Sequence, residues 1–310
     1  MGGISLKIGT RASPLALAQA HEMRARLAAA HDCDANCFTL VPIRTSGDMI
    51  QDRALALAGG KGLFTKELDI ALSNGEIDAA VHSSKDLPTR LADGLVIIGY
   101  LPREDVRDAL ISVRATSIAG LPHGATLGTA SLRRQAQVMR LRPDIRVALL
   151  RGNVETRLRK AEDGEIDATL LAYAGLKRLG LAARATAVLG IEDFLPAVGQ
   201  GAIGVTTRLA DPTTAKTLAP ILDASTGVAV SAERGFLEAL DGSCRTPIAG
   251  YAKIEAGRLE FRGMVLSEDG AQWFEIAKDG ALSEARALGL AAGREILARL
   301  PAGILPITQV

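Results

Sequence analysis

Apolar residues alternate with polar or small ones at Ile4, Leu6 and Ile8, the period of a strand. Gly9-Thr10-Arg11-Ala12-Ser13-Pro14 follows. Ser13 suits a helix cap and Pro14 a first helical turn. Residues 15–30 are rich in helix formers, so the chain opens as strand, tight turn, helix. Residues 38–43 read as a second strand, and 45–62, polar and ending Gly59-Gly60-Lys61-Gly62, as a mobile loop. A helix is expected over 64–73 and strands over 77–81 and 95–101.

The same grammar then repeats. A short strand over 125–128 runs into Gly128-Thr129-Ala130-Ser131 and a helix over 132–141. A strand at 145–150, a helix at 154–162 and a strand at 166–172 follow. The echo is literal in places: Gly75-Glu76-Ile77-Asp78-Ala79 recurs as Gly164-Glu165-Ile166-Asp167-Ala168, and Gly9-Thr10 as Gly128-Thr129. Two similar α/β units carrying parallel sheets are expected, with ligands at strand C-terminal ends or in a cleft between units. The last third breaks the alternation. A helix over 225–240, strands over 248–254, 259–266 and 272–277 and a closing helix over 283–300 predict a small α+β domain.

Composition narrows the function. The 310 residues allow two or three domains, and 48% hydrophobic with 23% charged residues is ordinary for a folded protein. No apolar run approaches the roughly 18–20 residues that span a bilayer. Residues 1–9 lack a basic region followed by an apolar one, so the expected compartment is the cytoplasm. Cys33, Cys37 and Cys244 are too few for a disulfide framework, and no metal site is expected of them. Net charge is only +1, yet Arg133-Arg134, Arg140-Leu141-Arg142 and residues 151–160 are locally basic. Balanced overall and clustered locally, the charge points to a focused anion site, not a nucleic-acid surface. Aromatics at 3% exclude stacking platforms for single strands.

Three constellations carry possible chemistry. Arg11, Arg133, Arg134, Arg151 and Arg157 fall at or just after expected strand ends, where planar guanidinium groups match carboxylates or phosphates. Ser83-Ser84-Lys85-Asp86 lies at a strand tip; a carboxylate among cations there stays ionised and can accept N–H groups or stabilise a developing cation. Cys244, in the loop Asp241-Gly242-Ser243-Cys244-Arg245-Thr246-Pro247, is either an activated thiol beside Arg245 or an inert small residue; the residues alone leave both open.

These segments together resemble the hydroxymethylbilane synthase, or porphobilinogen deaminase, family. The resemblance rests on Gly9-Thr-Arg-Ala-Ser-Pro-Leu-Ala-Leu, Gly59-Gly-Lys-Gly-Leu-Phe-Thr-Lys-Glu-Leu, Val81-His-Ser-Ser-Lys-Asp-Leu-Pro and Gly128-Thr-Ala-Ser-Leu-Arg-Arg. It continues through Leu150-Arg-Gly-Asn-Val-Glu-Thr-Arg-Leu, Ala174-Gly-Leu-Lys-Arg-Leu-Gly and Leu195-Pro-Ala-Val-Gly-Gln-Gly, in family order across nearly the whole chain. It implies two lobes like those of type II periplasmic binding proteins plus a small C-terminal α+β domain. The implied domains are 1–101 with 202–219, 105–196, and 223–310. It also implies condensation of four porphobilinogen molecules, each losing ammonia, into linear hydroxymethylbilane, on a dipyrromethane cofactor held as a thioether at Cys244.

The resemblance assigns the residues. Asp86 is the implied catalytic carboxylate. Cys244, Ser13, Lys85, Asp86, Thr129, Ser131, Arg133, Arg134 and Gly152 are implied for the cofactor. Arg11, Arg151, Arg157, Arg178, Lys61, Phe64 and Gln200 are implied for the substrate, with Lys61 and Phe64 on a lid. Each pyrrole carries acetate and propionate, which accounts for the arginines. Ala130 stands where many relatives have serine, and Arg245 where some have glutamine. A monomer is implied, with no nucleic-acid or membrane partner. The alternative from another class is a non-catalytic, two-lobed protein that binds a small anion.

Overall fold

The computed structural model describes residues 5–49, 62–240, 246–301 and 303–304. Strand β1 (Leu6–Arg11) enters helix α1 (Pro14–Ala30) through Ser13, whose hydroxyl accepts from Ala16 N at 3.4 Å. Pro14 occupies the first turn, where its missing N–H goes unused. β2 (Phe38–Ile43) follows as expected. The stretch expected as loop begins with a short helix, α2 (Ser46–Met49), tied down where Glu67 accepts from Ser46 N and Oγ. Next come α3 (Lys66–Ser73), β3 (Ala79–Ser83) and β4 (Leu95–Tyr100).

After β5 (Asp108–Ile111), the echo appears as β6 (Thr126–Gly128), α4 (Leu132–Leu141), β7 (Arg146–Ala148), α5 (Val154–Glu162) and β8 (Ala168–Ala172). Then come α6 (Tyr173–Arg178), β9 (Ala187–Val188), β10 (Ile203–Arg208), α7 (Pro212–Leu218) and α8 (Ala224–Ala239). The chain closes with β11 (Ile248–Glu255), β12 (Arg258–Leu266), β13 (Trp273–Gly280) and α9 (Ala285–Arg299).

Contacts divide the chain into two units. One takes its described residues from 5–49, 62–104 and 202–227, the other from 105–201 and from 228 onward. The first holds a five-stranded sheet in the order β2-β1-β3-β10-β4. Ile8, Met23, Leu27, Phe38 and Ile203 form its principal core. The second unit holds a sheet of matching order, β7-β6-β8-β5-β9, and a three-stranded antiparallel sheet, β11-β12-β13. Phe236, Phe261 and Ile296 lie in the core between that small sheet and helices α8 and α9. The expected fold class therefore holds: two α/β sheets of one plan, and a small α+β part. No described helix is long and apolar enough to cross a membrane.

One expectation needs correction. Neither large sheet is parallel throughout. β10 runs antiparallel to β3 and β4, and β5 antiparallel to β8 and β9. β5 and β10 are the first strands after the chain passes from one sheet to the other and back. Each enters its new sheet from the opposite end, so a simple βαβ repeat does not describe the result.

The literal repeats occupy equivalent places. Asp78 accepts from Lys7 N at 2.8 Å, and Asp167 from Thr126 N at 2.7 Å. Gly9 lies so near Ile77 that a Cβ there would stand 2.3 Å from Ile77 Cδ1. At Gly128 the corresponding distance, to Ile166 Cδ1, is 2.5 Å. In both sheets the strand carries a glycine where an isoleucine from the approach to a neighbouring strand fills the space a side chain would take.

Candidate functional site

In the first unit, Arg11 is the last residue of β1, and Ser84–Asp86 form one 3-10 turn directly after β3. Their strands lie side by side, so both tips share one sheet edge. Arg11 Nη1 stands 4.0 Å from Asp86 Oδ2, with both side chains partly exposed. Phe64 packs against Arg11, whose guanidinium carbon lies 4.2 Å from the ring centroid. Ser83 is fixed by Gln19, whose Nε2 donates to its hydroxyl at 2.9 Å. Ser84 Oγ is buried with no hydrogen-bond partner. His82, buried in β3, lies 3.0 Å from Thr206 Oγ1; burial and then the Arg11 charge hold its pKa down at about 4. It is therefore neutral near pH 7 and adds no charge behind Asp86.

In the second unit, Thr129 and Ser131 form the turn after β6. Thr129 Oγ1 accepts from Ser131 N at 3.1 Å, and Ser131 Oγ caps α4 by accepting from Arg134 N at 3.4 Å. Arg133 and Arg134 sit in the first turn of α4, each only 5% exposed. Both meet Asp108, the first residue of β5, which is 0% exposed. Arg134 donates from Nε and Nη2 to Asp108 Oδ1, at 3.1 and 2.7 Å. Arg133 Nη1 lies 2.8 Å from Oδ2 as an ion pair, while donating to Leu195 O at 2.7 Å.

Charge is not balanced in this cluster. Two guanidinium groups face one carboxylate, leaving an excess of one positive charge in buried space. Burial pushes the Asp108 pKa up, but the two arginines overcome it and hold the carboxyl well below its usual range. Arg133 moves the other way: burial lowers its pKa, and the like charge of Arg134 adds to that despite Asp108. Arg133 Nε is buried and makes no hydrogen bond. An uncompensated buried cation with a spare donor is the environment an anionic ligand group stabilises.

The remaining basic residues lie in turns and helices that follow strands of their own units. Arg151 and Gly152 lie between β7 and α5, and Gly152 O accepts from Arg157 Nε at 3.0 Å. Asn153 Oδ1 caps α5 through Thr156 N at 2.8 Å. Arg178, the last residue of α6, donates from Nη2 to Gly201 O at 3.1 Å. Lys85 is half-buried within its turn.

Gln200, expected at the substrate, lies buried beside Asp108. It is 0% exposed, and its Nε2 donates to Val106 O at 2.8 Å and Asp108 Oδ1 at 3.1 Å. Enclosed in this way, the side chain supports Asp108. Lys61, Cys244 and Arg245 lie outside the described residues. Asp108 itself was not singled out from the sequence. Its one signal is an acid at the head of the apolar run Ala109-Leu110-Ile111.

A family model described as the dipyromethane cofactor binding domain of porphobilinogen deaminase matches residues 6–216. The chain belongs to the porphobilinogen deaminase family. The model for the family's C-terminal domain matches residues 228–298. A porphobilinogen deaminase of Nitrobacter hamburgensis is 58% identical over 292 residues, covering 94% of this chain and 92% of that protein. One from Nitrobacter winogradskyi is 57% identical over the same length. Among solved structures, a methionine-bound nutrient binding protein from Burkholderia cenocepacia is a remote likeness. It is 14% identical, with a TM-score of 0.43, over 69% of this chain and 90% of that one. The family's cofactor carries carboxylates, and the residues present fit it: the Asp108 cluster holds one positive charge in excess and a spare buried donor.

Proposed function

We propose that this chain is a hydroxymethylbilane synthase, a transferase that joins four porphobilinogen molecules with loss of ammonia at each join and releases the chain from its primer by hydrolysis, water supplying the hydroxyl of linear hydroxymethylbilane. Its primer is a dipyrromethane carried as a thioether at Cys244. The observation that carries the reading is the buried Arg133–Arg134–Asp108 cluster with its excess positive charge, in a chain of this family.

When bound, the dipyrromethane would supply the free pyrrole carbon to which the first substrate unit is joined, each later unit joining the ring added before it. The chain's own residues bind and orient. Arg133 and Arg134 take a ligand carboxylate at the cluster, with Ser13, Lys85, Thr129, Ser131 and the Gly152 backbone assisting. Arg11, Arg151, Arg157 and Arg178 take the acetate and propionate groups of substrate, and Lys61 and Phe64 border it. Asp86 accepts pyrrole N–H groups. As the C–N bond to ammonia breaks, positive charge grows on the incoming pyrrole, and a fixed carboxylate stabilises it. Arg11 stands 4.0 Å from Asp86, beside that carboxylate. The proposal includes a cytoplasmic monomer and the domains 1–101 with 202–219, 105–196, and 223–310. Each of the three sheets falls within one of these spans.

Intact mass and turnover test the reading together. Purified protein should be heavier than its sequence by one dipyrromethane and should convert porphobilinogen to a linear tetrapyrrole. Cys244→Ser should carry no such adduct. Full activity at the bare sequence mass would refute the tether. Binding of porphobilinogen without conversion would favour the anion-binding alternative.

A further inference from the structure

The second sheet carries a buried charge that its twin does without. Ala79 pairs with Ile8 as Ala168 pairs with Leu127, so 79–83 and 168–172 are matching strand positions. Opposite Ser83, at the last of these positions, β10 places Ile203. Opposite Ala172, β5 places Asp108. Ile203 and Asp108 occupy the same node of the two sheets, and both are 0% exposed. Hydrocarbon therefore satisfies this node of the fold. A buried carboxylate is costly unless it is closely partnered, and the sheet does not require one here.

What differs around the node is the pair of arginines. Asp108 engages Nε and Nη2 of Arg134 and stands 2.8 Å from Nη1 of Arg133. A second ring of contacts fixes the cluster. Leu195 O accepts from both Arg133 Nη1 and Gln137 Nε2, Leu195 N donates back to Gln137 Oε1, and Gln200 Nε2 donates to Asp108. Groups locked by such contacts lose little freedom when a ligand arrives.

We propose that Asp108 is a positioning residue: it sets the geometry of Arg133 and Arg134 for ligand carboxylates, and its single charge leaves that pair one positive charge in excess. Gln200 belongs to the same device, as the donor that holds Asp108. The inference rests on the assignment of Arg133 and Arg134 to carboxylate binding made above.

Two substitutions test it in the full-length enzyme. Asp108→Asn keeps size and one acceptor oxygen but removes the charge. Asp108→Glu keeps the charge, which protects the fold, and displaces it by one methylene. In both, the fraction of protein bearing dipyrromethane should fall. In the loaded fraction, KM for porphobilinogen should rise about tenfold or more, the loss typical of a disrupted hydrogen bond to a charged group, with kcat changed far less. A merely structural role would lower the melting temperature and leave loading and KM of the folded protein unchanged, which would overturn the proposal. If Asp108→Asn does not fold, Asp108→Glu alone decides. Wild-type protein without the adduct would instead sink the functional reading itself, and the Asp108 role with it.

Discussion

Asp86 owes its position to a strand end and a single 3-10 turn, with Arg11 on the neighbouring strand. Asp86→Asn removes the charge and keeps the shape. Turnover should fall by about two orders of magnitude or more, because one transition-state electrostatic contact of this kind typically contributes that much. The adduct at Cys244 should remain, and near-normal turnover would contradict the assigned role. Asp86, Arg11 and Ser13 were legible in the sequence because each lies in a short motif at a strand–helix junction. Asp108 was not, because its partner Arg134 lies 26 residues away and the pairing exists only after β5 and α4 meet. The contact of Gln200 with Asp108 was hidden for the same reason: its motif was visible, but its burial was not.

At the scale of elements, β1, α1, β2, α3, β3 and α4 fall close to where residue type, capping and short-range spacing place them, since these are local properties. β9 is only two residues and β5 four, too short for a period to register. The close approach of Gly9 to Ile77 gives a test of the repeat's packing. Gly9→Ala forces Ile77 Cδ1 and Leu68 Cδ2 aside in a buried core and should destabilise the protein by about 1–3 kcal/mol, the usual range for overpacking. Ile77→Val removes Cδ1, so the same alanine should cost markedly less in that background. Denaturant unfolding of the four proteins of this cycle measures the coupling; strictly additive losses would show that the clash is relieved elsewhere.

At the scale of the molecule, the two large sheets differ in how the chain completes them. All five strands of the second lie within 105–196 in one continuous run. The first needs β10, from beyond that run, between β3 and β4. A fragment of 105–196 should therefore fold by itself, with dispersed amide resonances and a cooperative melt. A fragment of 1–101 should not, because it lacks an interior strand whose Ile203 and Val205 lie in the core. A folded 1–101 fragment, or an unfolded 105–196 fragment, would contradict this view of the architecture.

The amino-acid sequence by itself determined the principal helices and strands of 6–101, 125–172 and 225–300, the internal echo and the anionic character of the ligand. These depend on residue type, short spacing and motif order. Only the tertiary structure decided which cations face inward to Asp108, that Gln200 supports that acid, and that β5 and β10 run against their neighbours. These depend on which distant segments are brought together, and a buried charge takes its role from the partners that surround it.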